Sequence, residues 1–213
     1  HETTQKADGN IFGITVRGAF GPFHGQFDYV DLQGNEQIGA VAPATNAPKI
    51  EYQGYKAGIG WKYMPGANLS FIWVMTETNN ALGVQQGRKV DQSGYTINWE
   101  HTFGNIQVLA QYGWLDRLKG CVGNEGTATG AVGTISCDDT KATAYMIGAR
   151  YLLSKRTWLY ASYNLVDNES NQFADYTGGA ITSVNTGPGG TLNSVLPYGA
   201  DPQIIAVGIF HAF

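Results

Sequence analysis

The chain carries little charge, since Asp, Glu, Lys and Arg make up only 14% of its 213 residues. A soluble globular domain usually has about a quarter. It also lacks any run approaching the roughly 20 apolar residues that a spanning helix needs, and its mean hydropathy is −0.20. These two deficits argue against an ordinary soluble domain and against a bundle of membrane helices.

Basic charge is not in excess either. The formal net charge is −4 and the pI is about 5.5, so there is no bulk signal for nucleic acid as a partner. The chain has only two cysteines, Cys121 and Cys137, in one polar stretch rich in Gly and Thr. That stretch offers too few ligands for a metal, so the pair predicts a disulfide that closes a local loop in an oxidising compartment.

A catalytic constellation is missing from the sequence. The histidines are dispersed, at His1, His24, His101 and His211. Ser154 lies in a tight turn without the glycine-flanked elbow that activates a nucleophile. The acidic pairs Asp138/Asp139 and Asp28/Asp31 are interpreted as solvated rather than cation-binding. We therefore expect no enzyme, no metal and no cofactor.

Glycine and tyrosine are abundant, and apolar residues alternate with polar or small ones. Tyr55, Ile59 and Trp61 share one face of an extended segment, while Lys56 and Lys62 share the other. This period of two predicts amphipathic strands. Nine candidates follow at residues 10–20, 24–32, 50–63, 69–78, 92–103, 106–117, 142–153, 157–166 and 203–213.

The predicted connections alternate between short and long. Tight turns are expected at 21–23, 64–68, 104–105 and 154–156, and long polar loops at 33–49, 79–91, 118–141 and 167–202. This alternation predicts a single all-β domain over residues 1–213, an antiparallel up-and-down meander with every long loop on one rim. Aromatic residues near the strand ends add the girdles typical of a transmembrane β-barrel in the outer membrane.

The phase of the strands predicts which side chains line a pore. A charge facing lipid at mid-depth would cost roughly 2–4 kcal/mol, so charges on the polar faces are expected in the lumen. The pore-lining candidates are Arg17, Lys56, Lys62, Glu100 and Arg150. Their excess of Arg and Lys predicts a bias towards anions, although these charges could also simply keep the wall wet.

The opposite faces are expected to meet lipid or a neighbouring protomer. The residues predicted to face outward are Trp61, Trp99, Leu159, Val207 and Ile209. Four apolar residues, Ile72, Val74, Leu109 and Leu115, fall on the polar side instead. They are interpreted as possible contacts of an inserted loop.

Two segments carry a family resemblance. The chain ends Val207-Gly208-Ile209-Phe210-His211-Ala212-Phe213, and a hairpin reads Leu153-Ser154-Lys155-Arg156-Thr157-Trp158-Leu159-Tyr160-Ala161. Both are similar to general Gram-negative porins of neisserial and related proteobacterial type. The resemblance implies a 16-stranded homotrimer in the bacterial outer membrane, in contact with the bilayer and lipopolysaccharide, through which small hydrophilic solutes diffuse passively. It also implies that Phe213 is the signal read by the outer-membrane assembly machinery.

Nine strands conflict with a closed barrel whose termini are both periplasmic, because that arrangement needs an even number. The chain also begins with His1 and shows no signal segment. We therefore expect an N-terminally incomplete barrel that lacks about seven strands and the constriction loop. The alternatives are a complete, small monomeric barrel of eight strands, or a structural or adhesive barrel whose long loops bind a partner.

Overall fold

The computed structural model describes residues 10–34, 50–79, 89–121, 137–172, 174, 185–186, 192–193 and 199–212. Within them every regular element is a β-strand, and no helix is present that could cross a membrane. The strands are β1 (Asn10–Phe20), β2 (Phe23–Gly34), β3 (Ile50–Met64), β4 (Ala67–Asn79), β5 (Lys89–Phe103), β6 (Ile106–Leu115), β7 (Ala142–Leu152), β8 (Thr157–Asn168), β9 (Asn185–Thr186), β10 (Leu192–Asn193) and β11 (Gln203–His211).

Nine of these strands form one antiparallel sheet in sequence order, from β1 through β8 to β11. The prediction of nine up-and-down strands is therefore confirmed. Within the described part of the chain, β1 pairs only with β2 and β11 pairs only with β8. The sheet is not closed by a ladder between its two edges.

Some predicted bounds were wrong. β5 begins at Lys89, three residues before the predicted start, because Lys89 pairs with Asn79 beyond the point where apolar alternation fades. β6 ends at Leu115, earlier than predicted, and the short strands β9 and β10 pair inside a region predicted to be loop. Backbone pairing therefore extends past the amphipathic signal in β5 and stops short of it in β6.

Tight turns close three hairpins at one end of the sheet. Two residues separate each pair of strands at Gly21–Pro22, Pro65–Gly66 and Gly104–Asn105. The glycines have φ of +57°, +76° and +59°, a left-handed conformation that glycine adopts without the steric cost of a Cβ. A fourth short connection, Leu153–Arg156, lies at the same end. We call this the short-turn end and the opposite one the long-loop end.

The strand register divides the sheet into two faces. Lys56 pairs with Asp28 on one side and Val74 on the other, and these side chains share what we call the polar face. Trp61 pairs with Phe23 and Leu69 on the apolar face. The register shifts only between Trp61 and Met64, where β3 carries a bulge.

The sheet is a single layer with hardly any core. The buried apolar residues among those described are Ala67, Val90, Ala142 and Val166. By contrast, Ile205 and Val207 on the apolar face are 79% and 74% exposed. An apolar surface of this extent is untenable in water and is what a strand wall presents to lipid.

Candidate pore wall and rim

An aromatic belt lies on the apolar face at the short-turn end. Tyr63 is its centre: its hydroxyl accepts a hydrogen bond from Trp99 Nε1 at 2.8 Å and shares a second one with His101 Nδ1 at 2.8 Å. Trp61 packs against Tyr63 with ring centroids 5.6 Å apart, and Phe103 stacks on His101 at 4.1 Å. Amphipathic rings with satisfied polar tips are the side chains favoured at the membrane–water interface. His101 is thus a member of this belt.

A second belt lies on the same face towards the long-loop end. Ring contacts of 5.0 to 5.6 Å join its members in two groups, which are Tyr29 with Tyr55, and Tyr95 with Trp114, Tyr112 and Tyr145. Beyond it the apolar face becomes polar, with an ion pair between Lys89 and Glu77. Between the belts lie exposed aliphatic side chains such as Ile59, Ile97 and Ile147. This band, limited by two belts, has the layout of a lipid-facing wall.

The register gathers the charges of the strand interiors on the polar face. Arg17, Lys56, Glu100 and Arg150 share it. Lys62, next to the bulge, lines a cavity on this face together with His24, Asn68 and Glu100. Asp28 and Asp31 project from opposite faces, because the two positions differ in parity along β2.

A row of contacts crosses the polar face near the short-turn end. The Gln107 amide donates a hydrogen bond to Glu100 Oε1, and Arg150 Nε donates one to Gln107 Oε1. The Arg150 guanidinium also lies 5.7 Å from the centre of the Trp158 ring. Through Gln107, this row links one acidic and one basic side chain of the polar face.

Sequence reasoning missed Trp158 and its partner Phe210, whose rings stack at 4.0 Å on the polar face. The parity of β8 could have revealed them, because Trp158 has the same phase as Ser162 and Asn164 rather than Leu159. An aromatic ring on the wall supports the guanidinium beside it through a cation–π contact.

The apolar residues predicted on the polar side do lie there by register. Val74 flanks Gly94, and a Cβ at Gly94 would lie 3.1 Å from Val74 Cγ2 and 3.3 Å from Leu115 Cδ1. Glycine therefore leaves room for these branched side chains on the wall. Their contact with an inserted loop stays a prediction.

At the long-loop end, hydrogen bonds join segments beyond the strands to one another, and backbone bonds from Asp116 N to Ser93 O and from Glu169 N to Lys141 O continue the ladders. We call residues 116–121, 137–141, 169–172 and 199–202 the rim cap. Its centre is Thr140, which is only 2% exposed. The Thr140 hydroxyl donates to Cys137 O at 2.9 Å and accepts from Leu118 N at 2.9 Å.

Two side chains of the polar face hold this cap in place. Gln92 donates to Asp116 O at 2.9 Å and to Thr140 O at 3.1 Å. The Asn168 side-chain amide donates to Ala200 O at 2.7 Å, and the Asn168 backbone N–H donates to Asp201 Oδ1 at 2.8 Å. Gln92 and Asn168 occupy polar-face positions of β5 and β8, so their side chains contact the cap from that face.

Cys121 and Cys137 are joined by a disulfide in the rim cap, with their Cα atoms 5.6 Å apart and 16 positions apart in sequence. Arg117 forms an ion pair with Asp138 at 3.1 Å in the same cap. Among the described residues, no three His, Cys, Asp or Glu side chains lie close enough together to hold a metal. Phe213 lies outside the described residues.

Comparisons with known proteins agree with this architecture. No curated protein sequence matches the chain. A solved structure, the anion-selective porin from Comamonas acidovorans, has a TM-score of 0.65 at 19% identity. The match covers 95% of this chain and 49% of that one, so the chain spans about half the length of its structural neighbour.

A family model places the two-faced sheet in context. The model of the Gram-negative porins matches residues 1–171. The members of this family are non-enzymatic channels of the bacterial outer membrane. The chain belongs to the Gram-negative porin family.

Proposed function

We propose that this chain forms part of the wall of a water-filled channel, through which ions and small hydrophilic solutes diffuse passively without any catalytic step. One observation carries the proposal. A single-layer sheet places an apolar surface limited by two aromatic belts on one side, and the charges of its strand interiors on the other. Such a wall separates lipid from water.

Closure of the wall is part of the proposal. Strands β1 and β11 each have one unpaired edge within the described sheet, and unpaired backbone groups in lipid cost several kcal/mol each. Further strands would therefore continue the arc, to sixteen in total if the resemblance to general porins holds. The same resemblance supports a homotrimer, contact with lipopolysaccharide, and recognition of Phe213 by the assembly machinery.

We also propose a bias towards anions. Four basic side chains, Arg17, Lys56, Lys62 and Arg150, share the polar face of the strands with two acidic ones, Asp28 and Glu100. A net positive wall raises the local concentration of anions. The anion selectivity named for the Comamonas porin supports this bias.

Conductance in planar bilayers tests the channel. The native protein, purified from outer membranes in detergent, should give discrete conductance steps, and a tenfold KCl gradient should give a reversal potential of the sign for anion preference. Lys56→Cys and Ala57→Cys form a matched pair, because adjacent residues point to opposite faces. A negatively charged, membrane-impermeant thiol reagent should reduce the current of the first variant and leave the second unchanged.

A structural or adhesive barrel is the second candidate, favoured by the hydrogen-bonded, disulfide-closed rim cap. A rigid rim is suited to holding a partner, and such a barrel would be plugged. Absence of conductance steps in correctly folded protein would reject the channel and favour this alternative.

A further inference from the structure

The polar face carries three large aromatic side chains near the short-turn end of its last strands. Trp158 and Tyr160 lie on β8 and Phe210 lies on β11, all at positions whose parity places them on this face. The Trp158 and Phe210 rings stack at 4.0 Å, with an angle of 16° between their planes. Because ladder pairing preserves parity, a strand that continues the wall beyond β11 leaves these rings on the same face. Keeping the wall hydrated does not account for three such rings on this side of the sheet.

Glycine leaves room for the Tyr160 ring. Tyr160 is the cross-strand partner of Gly208, and a Cβ at Gly208 would lie 2.6 Å from the Tyr160 hydroxyl oxygen. Tyr160 and Phe210 remain 42% and 44% exposed. One step further from the short turns, three small residues are cross-strand neighbours on the polar face: Gly148, Ser162 and Ala206. Their small size leaves space beside the rings.

A cation adjoins the same rings. Arg150 on β7 is the cross-strand partner of Tyr160, and its guanidinium carbon lies 5.7 Å from the centre of the Trp158 ring. Arg150 Nε donates to Gln107 Oε1, which orients the guanidinium. Among the described residues, its terminal N–H groups have no hydrogen-bond partner and no carboxylate forms an ion pair with it. Both its charge and its remaining donors are therefore available to a solute.

Other basic side chains of the polar face have different neighbours. Arg17 is the cross-strand partner of Gln26, and Lys56 is the partner of the acidic Asp28. At Arg150, by contrast, a positive charge and aromatic surface lie side by side. A carboxylate can accept two charge-assisted hydrogen bonds from a guanidinium, and a flat ring gains contact energy against other aromatic rings. A solute that carries both groups matches this part of the wall, whereas a small inorganic anion uses only the charge.

We propose that Arg150, Trp158, Tyr160 and Phe210 form a binding site for aromatic carboxylates on the channel wall. The Arg150 guanidinium binds the carboxylate through its terminal N–H groups, and the exposed Tyr160 and Phe210 rings contact the aromatic ring of the solute. This inference deepens the proposed function and rests on it, because a solute reaches the polar face only if that face lines water. The site retains one class of anion longer than other anions of the same charge.

Blockade of the single-channel KCl current by carboxylates at pH 7 tests this in the native protein. Benzoate should reach half-blockade at a concentration about 2 to 12 times lower than cyclohexanecarboxylate, which has the same charge and a similar size but no aromatic ring. Benzyl alcohol, which keeps the ring but lacks the carboxylate, should block less than benzoate. Equal half-blocking concentrations of the two carboxylates would overturn the site.

Matched variants locate the site. Tyr160→Leu should bring the ratio of the two half-blocking concentrations towards one, whereas Tyr163→Leu, the same change on the apolar face of β8, should keep the native ratio. Phe210→Leu provides the same test on β11 if Tyr160→Leu does not fold. Equal ratios in the polar-face and apolar-face variants would contradict the assignment.

The charge is tested in the same way. Arg150→Gln should raise the half-blocking concentration of benzoate by about tenfold or more, because it removes the charged partner of the carboxylate. Arg17→Gln removes the same charge from β1 and should keep the native ratio of benzoate to cyclohexanecarboxylate. Equal losses of benzoate blockade in the two variants would assign the effect to the overall charge of the wall and overturn the site.

Saturation-transfer NMR of benzoate with the folded protein in detergent separates this site from the channel function, because it needs no conductance. The signal should exceed that of empty micelles and should fall to that level in Arg150→Gln combined with Tyr160→Leu. Binding of this kind in folded protein without conductance would overturn the channel and keep the site. Conductance without a preference for benzoate in either measurement would overturn the site alone.

Discussion

The two ends of the sheet are held together in different ways. At the short-turn end, two-residue turns with left-handed glycines join adjacent strands, as Gly66 joins β3 to β4. At the long-loop end, Thr140 accepts hydrogen bonds from Gln92 and Gln172, which lie 48 and 32 positions away. The first end depends on contacts between neighbouring strands and the second on contacts across several strands.

This difference indicates which substitutions should destabilise each end of the sheet. A hairpin turn tolerates a local change at a local cost, because its backbone groups already pair within the ladder. The rim cap depends on a few buried polar groups that satisfy one another, and losing one leaves its partners unpaired in a buried site. We therefore expect larger effects from substitutions in the cap than from substitutions at the short turns.

Removing the disulfide should have the largest effect. Cys121→Ser combined with Cys137→Ser opens a loop of 16 positions, which on the chain-entropy model costs about 3 kcal/mol. Amide hydrogen exchange at Leu118 and Lys119 should accelerate by about 100-fold. The amide of Thr102, bonded to Gly66 O at the other end, is the internal control. Unchanged exchange at the cap amides would show that the cap is held without the disulfide.

Thr140→Val should have the next largest effect. Valine keeps the shape but removes the hydroxyl that bridges Cys137 O and Leu118 N, so two buried backbone groups lose a partner at a cost of about 2 kcal/mol. The free energy of cap opening, measured by hydrogen exchange at Lys119, whose N–H donates to Asp91 O, should fall by that amount. Thr140→Ser retains the hydroxyl and should lose less than half as much. Equal losses in the two variants would assign the effect to packing instead.

Gly66→Ala should weaken the short-turn end by about 1 kcal/mol, because alanine at a φ of +76° is strained. The new Cβ would also lie 3.0 Å from Thr102 Cβ. The control is Gly18→Ala in β1, where a Cβ meets nothing within 4 Å. Equilibrium unfolding in urea with refolding into detergent measures both. Equal stability of the two variants would contradict the proposed strain.

The aromatic belt offers the smallest expected effect. Trp99→Phe removes the indole N–H that donates to the Tyr63 hydroxyl, and a net loss of about 0.5 kcal/mol is expected, since the hydroxyl keeps His101 and interfacial water as partners. A double-mutant cycle with Tyr63→Phe, read by the same urea titration, isolates the pair. A coupling energy above about 2 kcal/mol would place this belt on a par with the rim cap.

Much of the fold could be predicted from the residues. The alternation of apolar and polar residues predicted nine strands, because successive side chains of a strand point to opposite faces. The alternation of short and long connections predicted the meander, because tight turns have characteristic residues. The faces of Lys56 and Trp61 follow from the same parity. The wall position of Trp158 follows from the same parity, but the sequence analysis assigned a face only to its neighbour Leu159.

The sequence by itself determined the two-faced strands and the tight turns, because these depend on side-chain parity and on backbone sterics over a few residues. Only the tertiary structure decided the rim cap and the row from Glu100 through Gln107 to Arg150. The hydrogen bonds of Thr140 with Gln92 and Gln172, like that row, depend on the register of several strands at once. No local pattern encodes that register, since it follows from how every hairpin in the sheet aligns with the next.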